Sequence, residues 1–144
     1  MGLYRFDVSL RFHHPNIDPN EITDTLGIAP KNSWRAGEPR ITPKGTPLPG
    51  IRRETYWYAK VSSGESQTKR LGAALHEILD KLEKHREFLR RIRTECGRVE
   101  FFIGWYLKTQ AGEEFDQPLL ARLVDLQIDL GLDNYYDPDI PDEE

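Results

Sequence analysis

Alternation of apolar and polar residues marks out four strands in this chain. Leu3 to Phe12 sets Tyr4, Phe6, Val8, Leu10 and Phe12 on one face and Arg5, Asp7, Ser9 and Arg11 on the other. Thr55 to Val61 repeats the rhythm, with Trp57, Ala59 and Val61 inward and Tyr56, Tyr58 and Lys60 outward. Arg98 to Lys108 differs because it is apolar on both sides. Phe101, Ile103, Trp105 and Leu107 point one way, and Phe102, Gly104 and Tyr106 the other. That pattern predicts an interior strand, the one around which the rest of the chain is organised. A fourth run, Leu126, Ile128, Leu130 and Leu132, alternates with Gln127, Asp129, Gly131 and Asp133 and predicts a last strand ending near Tyr136.

Between these runs the period changes to that of a helix. Asp18-Pro19-Asn20-Glu21 predicts a helix start: Asp18 as cap, Pro19 at the first position, Glu21 completing a capping box and Ile17 as staple. Ile22, Thr25 and Leu26 form its inner stripe and Gly27 its stop. Leu71, Ala74, Leu75, Ile78, Leu79 and Leu82 recur at helical spacing, from Gln67 to Lys84, and the stripe continues through Phe88, Leu89 and Ile92 as one long helix or two. Gln117 to Val124 predicts a short helix with Leu119, Leu120 and Leu123 inward. The order β-α-β-α-β-α-β over residues 1–136 predicts a single α+β domain. Its expected core is a four-stranded, largely antiparallel sheet, a ferredoxin-like variant with the helices on one face.

Regular periodicity vanishes over 29–54, where Pro30, Pro39, Pro43, Pro47 and Pro49 alternate with Gly37, Gly45 and Gly50. Inside this Pro/Gly-rich loop lies Ser33-Trp34-Arg35-Ala36-Gly37-Glu38. A ring as large as that of Trp34 needs a surface, and the open sheet face is the nearest. Arg35 is then expected to stack on Tyr56 or Tyr58, or to pair with Asp7 or Asp129, while Gly37 supplies a turn. Alternatively, Arg35 pairs with Glu38 at the surface, or Arg35 and Arg40 with the amides near Gly37 receive an anionic group. The candidate binding residues are thus Trp34, Arg35, Gly37 and Glu38 in the loop, with Tyr56, Tyr58, Phe102, Tyr106, Arg5 and Arg11 on the open face.

Charge and composition narrow the functional classes. The net charge is −4 over 144 residues, yet six carboxylates and no base lie between Asp133 and Glu144. Lys31 to Glu54 carries Lys31, Arg35, Arg40, Lys44, Arg52 and Arg53 against only Glu38 and Glu54. Residues 137–144 are expected to form a mobile acidic tail, either solubilising or folded back on the basic loop. Cys96 is the one cysteine and is expected to be a buried, inert thiol. With no signal-like or membrane-spanning run, the expected location is cytoplasmic. His13 and His14, as neighbours in a strand, would diverge to opposite faces, so a polar turn rather than a metal site is expected there. No nucleophile elbow, P-loop, dinucleotide fingerprint or metal-ligand spacing is present, so neither an enzyme nor a cofactor is expected.

What remains is a small non-enzymatic binding or interaction module with a protein partner, one that neutralises or regulates it as immunity proteins do. A homodimer closed by the aromatic face is a further expectation. A single-stranded nucleic-acid binder using that face is the alternative, opposed by a pI near 5.6. A purely structural domain is the third class.

The stretches Ile17-Asp18-Pro19, Ile22-Thr23, Leu26-Gly27-Ile28-Ala29-Pro30 and Ser33 to Glu38, with the later Trp57, resemble a bacterial uncharacterised family, domain of unknown function 4279. The resemblance spans most of the chain and is sharpest over 17–38. It implies that Trp34, Arg35 and Gly37 form one unit, and it implies no activity, cofactor or catalytic residue.

Overall fold

The computed structural model describes residues 2–142. Strand β1 (Tyr4–His14) is followed by helix α1 (Pro19–Leu26) and three short strands, β2 (Asn32–Trp34), β3 (Pro39–Ile41) and β4 (Pro47–Ile51). Then come β5 (Thr55–Glu65), α2 (Leu71–Leu82), a 3₁₀ turn (Glu83–His85), α3 (Arg86–Thr94), β6 (Arg98–Leu107), α4 (Gln117–Asp125) and β7 (Ile128–Tyr136). The main sheet has the order β2-β5-β1-β6-β7, and β3 and β4 pair in a separate hairpin.

The fold is α+β, as the two periods predict, but the sheet is mixed and five-stranded, not the expected four-stranded, largely antiparallel ferredoxin-like sheet. Two physical reasons account for the difference. β2 is three residues long, too short for alternation to announce it, yet it pairs antiparallel with β5 through Trp34 opposite Tyr56. β6 and β7 run parallel because the chain crosses back through α4 before re-entering the sheet. β6 is interior, as its two apolar faces demand, but the middle strand is β1, antiparallel to both β5 and β6.

The core lies between one sheet face and the helices. Tyr4, Phe6, Val8, Leu10 and Phe12 of β1 are buried there with Trp57, Phe101 and Ile103, beneath Leu75, Leu79, Leu89 and Ile92. Each large side chain so buried is worth about 1.5–3 kcal/mol relative to exposure. Trp57 packs edge-on against Phe12 at 5.4 Å, and its indole N–H donates to Thr23 Oγ1 at 3.0 Å. Helix α1 starts as its sequence predicts: Asp18 Oδ1 accepts from the Asn20 amide, and Gly27 ends it at φ +68°. Glu21 does not close a capping box; its carboxylate turns outward to Arg91 at 2.7 Å.

Three further expectations are corrected. Leu120 is exposed while Leu119 and Leu123 are buried, because α4 presents a narrower stripe than its leucines imply. Cys96 is exposed, sitting at φ +68° where the chain leaves α3, and Gly97 N–H closes the end by donating to Ile92 O. Of the acidic tail, Asp137 and Ile140 are buried, Asp137 bonding Arg5, and Asp142 pairs with Lys108 at 2.8 Å. These contacts lie at the end of β1 opposite the basic loop, so the described part of the tail does not fold over that loop. Glu143 and Glu144 lie outside the described residues. No helix among the described residues is long and apolar enough to cross a membrane.

Candidate functional site

The face of the sheet away from the helices carries the outward positions of five strands. The register places Trp34, Tyr56, His13 and Arg98 in one row and Tyr58, Arg11 and Glu100 in the next. At the far end lie Arg5, Tyr106 and Tyr135. β2 extends this face by one strand and so brings Trp34 onto it. The Trp34 ring packs on Tyr56 at 4.9 Å, Tyr56 on Tyr58 at 5.6 Å, and His13 against Tyr56 at 5.0 Å. Burial among these rings raises the Tyr56 pKa.

Two of the predicted partnerships take different form. Trp34 and Arg35 are adjacent in an extended segment, so their side chains diverge. Arg35 faces away from the sheet, donating to Asn16 O at 3.3 Å and pairing with Asp18 at 3.7 Å. It stacks on neither tyrosine and pairs with neither Asp7, Asp129 nor Glu38, since Asp7 holds Lys60 and Asp129 holds Arg93. The cation that covers Trp34 is Arg52, 3.8 Å from the ring centroid. Arg52 lies eighteen positions after Trp34 and is not legible as its partner in sequence, because the β3–β4 pairing and the backbone bonds of Arg52 to Gly37 and Glu38 bring it back.

Gly37 makes the predicted turn at φ +91°, but its amide donates to Arg52 O at 2.8 Å. The neighbouring amides of Ala36 and Glu38 donate to Thr55 Oγ1 and Arg35 O. No amide nest is left there for an anion, so that expectation is corrected. Thr55 is the buried tie of the unit, because its hydroxyl donates to Ile17 O at 2.7 Å while accepting from Ala36. The glutamate's backbone continues the tie, Arg52 N–H donating to Glu38 O at 2.8 Å.

The remainder of the loop is a hairpin rather than structureless chain. β3 and β4 pair across a turn held by Gly45 N–H to Thr42 O and Thr42 N–H to Thr46 O. It leaves exposed Ile41 and Leu48 facing a groove of about 730 Å³ whose other lining includes Lys31, Trp34, Glu38, Arg52, Tyr56 and Tyr58. The groove meets, at Lys31 and Tyr58, a shallower depression of about 190 Å³ over Asp7, Arg11, Phe102 and Tyr106. In that depression Arg11 covers Phe102 at 3.7 Å to the centroid and pairs with Glu100 at 3.7 Å. Beyond it, Arg5 lies over Tyr106 at 5.1 Å, and Tyr106 stacks on Tyr135 at 5.2 Å. Nine of the ten predicted site residues thus line or tie one continuous surface. Arg35 is the exception.

The charges along this surface are unevenly satisfied. Among the described residues Lys31, Arg40, Lys44, Arg52 and Arg53 have no carboxylate within ion-pair distance, whereas outside this segment only Lys81 and Lys84 lack one. Two guanidinium nitrogens in the groove and depression, Arg52 Nε and Arg11 Nε, are buried with no hydrogen-bond partner among the described residues. The surface thus combines an aromatic floor, an apolar wall and cations that, among the described residues, lack carboxylate partners.

The family model described as Domain of unknown function (DUF4279) matches residues 3–137. No curated protein and no solved structure matches the chain significantly.

Proposed function

We propose that this chain, which belongs to the family described as Domain of unknown function (DUF4279), is a small non-enzymatic module that binds a partner protein and so regulates or neutralises it. The segment it takes is extended and acidic, with an aromatic or aliphatic residue that enters the groove between the β3–β4 hairpin and the rings of Trp34, Tyr56 and Tyr58. One observation supports this reading: among the described residues, five of the seven cations without a carboxylate partner lie on the segment that walls an aromatic groove, the other two being Lys81 and Lys84. Unpaired cations around an apolar pocket favour a ligand carrying carboxylates beside an apolar anchor, by charge complementarity and desolvation together.

Single-stranded nucleic acid is the second reading, since cations and aromatics also suit it. It is the weaker one, because the faces that would stack bases are already covered: Trp34 by Arg52, Phe102 by Arg11 and Tyr106 by Tyr135. Selection from a random peptide display library on the immobilised full-length protein separates the two. The expected result is enrichment of Asp/Glu-rich peptides around one bulky apolar residue, lost when Lys31→Glu and Arg52→Glu are combined. Enrichment with no charge preference, or oligouridine binding that outcompetes every selected peptide, would overturn the proposal.

A further inference from the structure

The two edges of the main sheet are treated in opposite ways. At one edge β2 is three residues long and is flanked by Lys31 and Arg35. At the other, β7 offers nine residues, has β6 as its sheet neighbour on one side, and has no neighbour on the other among the described residues. A long bare edge is a template for pairing with another chain, and proteins ordinarily blunt it with proline, lysine or a bulge. Ile128–Tyr136 contains no proline or lysine, and its pairing with β6 has no register shift.

Below this edge lies an apolar strip. α4 buries Leu119 and Leu123 and turns Arg122 toward α2, where it bonds His76, Asp80 and Glu83. Helical geometry therefore puts Leu120 and Val124 on the opposite flank, toward the β7 edge. Leu120 is 45 % exposed and Val124 75 %, and β7 adds Leu132 at 45 % and Tyr136 at 74 %. Because a tight turn joins α4 to β7, Val124 lies level with the start of β7, near Ile128, and Tyr136 lies at the far end.

We infer that β7 pairs antiparallel with β7 of a second copy about a two-fold axis at Leu132, joining two five-stranded sheets into one of ten. In this register Leu132 meets Leu132 of the other copy and Tyr136 comes level with Ile128, where Val124 of the other copy covers it. The two most exposed apolar side chains of this flank thus cover each other. On the open face no carboxylate lies directly opposite another: Asp129 faces Tyr135, and Asp133 faces Gly131, which has no side chain. Each carboxylate is also held within its own chain, Asp129 by Arg93 at 2.9 Å and Asp133 by the Tyr135 hydroxyl at 2.6 Å. A self-complementary patch of this kind closes as an isologous dimer and leaves the groove at the opposite edge free.

Light scattering on the full chain tests the inference. The expected mass is twice the 16.7 kDa of one chain. Val124→Glu and Leu132→Lys should each return it to the single-chain value with far-ultraviolet circular dichroism unchanged, and Val124→Glu alone decides if Leu132→Lys fails to fold. In a Cys96→Ser background, Leu132→Cys should oxidise to a covalent dimer, because residues paired on a dyad lie within disulfide reach, whereas Lys44→Cys should not. A single-chain mass at high micromolar concentration overturns the inference. So does a dimer that survives Val124→Glu, or one lost on Tyr58→Ala, which would place the contact on the aromatic face instead.

Discussion

Replacing Trp34 by alanine distinguishes a recognition surface from an ordinary piece of core. The ring is half-buried, packed at a tilt of 39° on Tyr56 at 4.9 Å and covered by Arg52 at 3.8 Å. Losing an aromatic pair costs about 0.5–1.5 kcal/mol beyond area burial. Losing an accessible cation–π contact costs about 0.5–1 kcal/mol. Together with the partial burial, Trp34→Ala should destabilise by about 2 kcal/mol, against about 3–5 kcal/mol or outright unfolding for the fully buried Trp57→Ala. Urea denaturation reads both, and an unchanged m-value for Trp34→Ala would show that the same surface still unfolds. A double-mutant cycle with Arg52→Ala should give a coupling of about 0.5–1 kcal/mol, and Trp34→Phe should retain part of it. If Trp34→Ala costs as much as Trp57→Ala, the ring is core and not the floor of a groove. Zero coupling to Arg52 would refute the packing from which the magnitude was worked.

Four other perturbations follow from local geometry. Thr55→Val removes the hydroxyl joining Ile17 O and Ala36 N–H, leaving buried groups unsatisfied, and should cost about 1–3 kcal/mol in the same urea assay; no loss would mean that the tie carries nothing. Cys96→Gly should stabilise by up to about 1 kcal/mol because φ is +68° there. Its neighbour behaves oppositely, since a Cβ at Gly97 would fall 2.6 Å from His13 O, so Gly97→Ala should destabilise by about 1–3 kcal/mol; equal effects at the two sites would contradict the backbone geometry. The Arg5 hydrogen bond holds the Asp137 carboxyl below its usual range, followed by the bond from the Asp139 amide. A depressed folded pKa contributes stability that is fully present above the unfolded Asp value of about 3.9 and is lost as pH falls through the lower folded value. The stability difference between wild type and Asp137→Asn should therefore be flat at neutral pH and shrink only in that acid window; a difference that persists below it is inconsistent with the Arg5 contact.

The alternation in β1, β5 and β6 is legible because β1 buries one whole face and β5 and β6 bury theirs from Thr55 to Ala59 and from Val99 to Trp105, where nearly every second residue is apolar. β2 was not, because three residues carry no period and its place is fixed by hydrogen bonds to β5. The β3–β4 hairpin was hidden by its prolines, which sit on a small two-stranded ribbon where missing amides cost little. Its one local sign was Pro43-Lys44-Gly45 between Ile41 and Leu48. For the site, outward positions of long strands could be read directly, so Tyr56, Tyr58, Phe102 and Tyr106 fall on the face the alternation assigns. Arg35 could not, since a residue following Trp34 in extended chain points the other way, and Arg52 reached the ring through a turn that composition does not reveal. The parallel pairing of β7 likewise depends on a crossover, and the exposure of Leu120 and Leu132 on how far α4 extends over the sheet.

The groove between the hairpin and the Trp34–Tyr56–Tyr58 floor is proposed to receive an acidic protein segment. Backbone and indole NMR of the full chain, titrated with a synthetic Asp/Glu-rich peptide carrying one central tyrosine, tests it most directly. Saturable shifts are expected at Lys31, Trp34, Arg52, Tyr56 and Tyr58, abolished by Lys31→Glu with Arg52→Glu and absent with a Lys-rich peptide of the same length. Shifts confined to the helical face, or groove shifts indifferent to the sign of the peptide's charge, would contradict it.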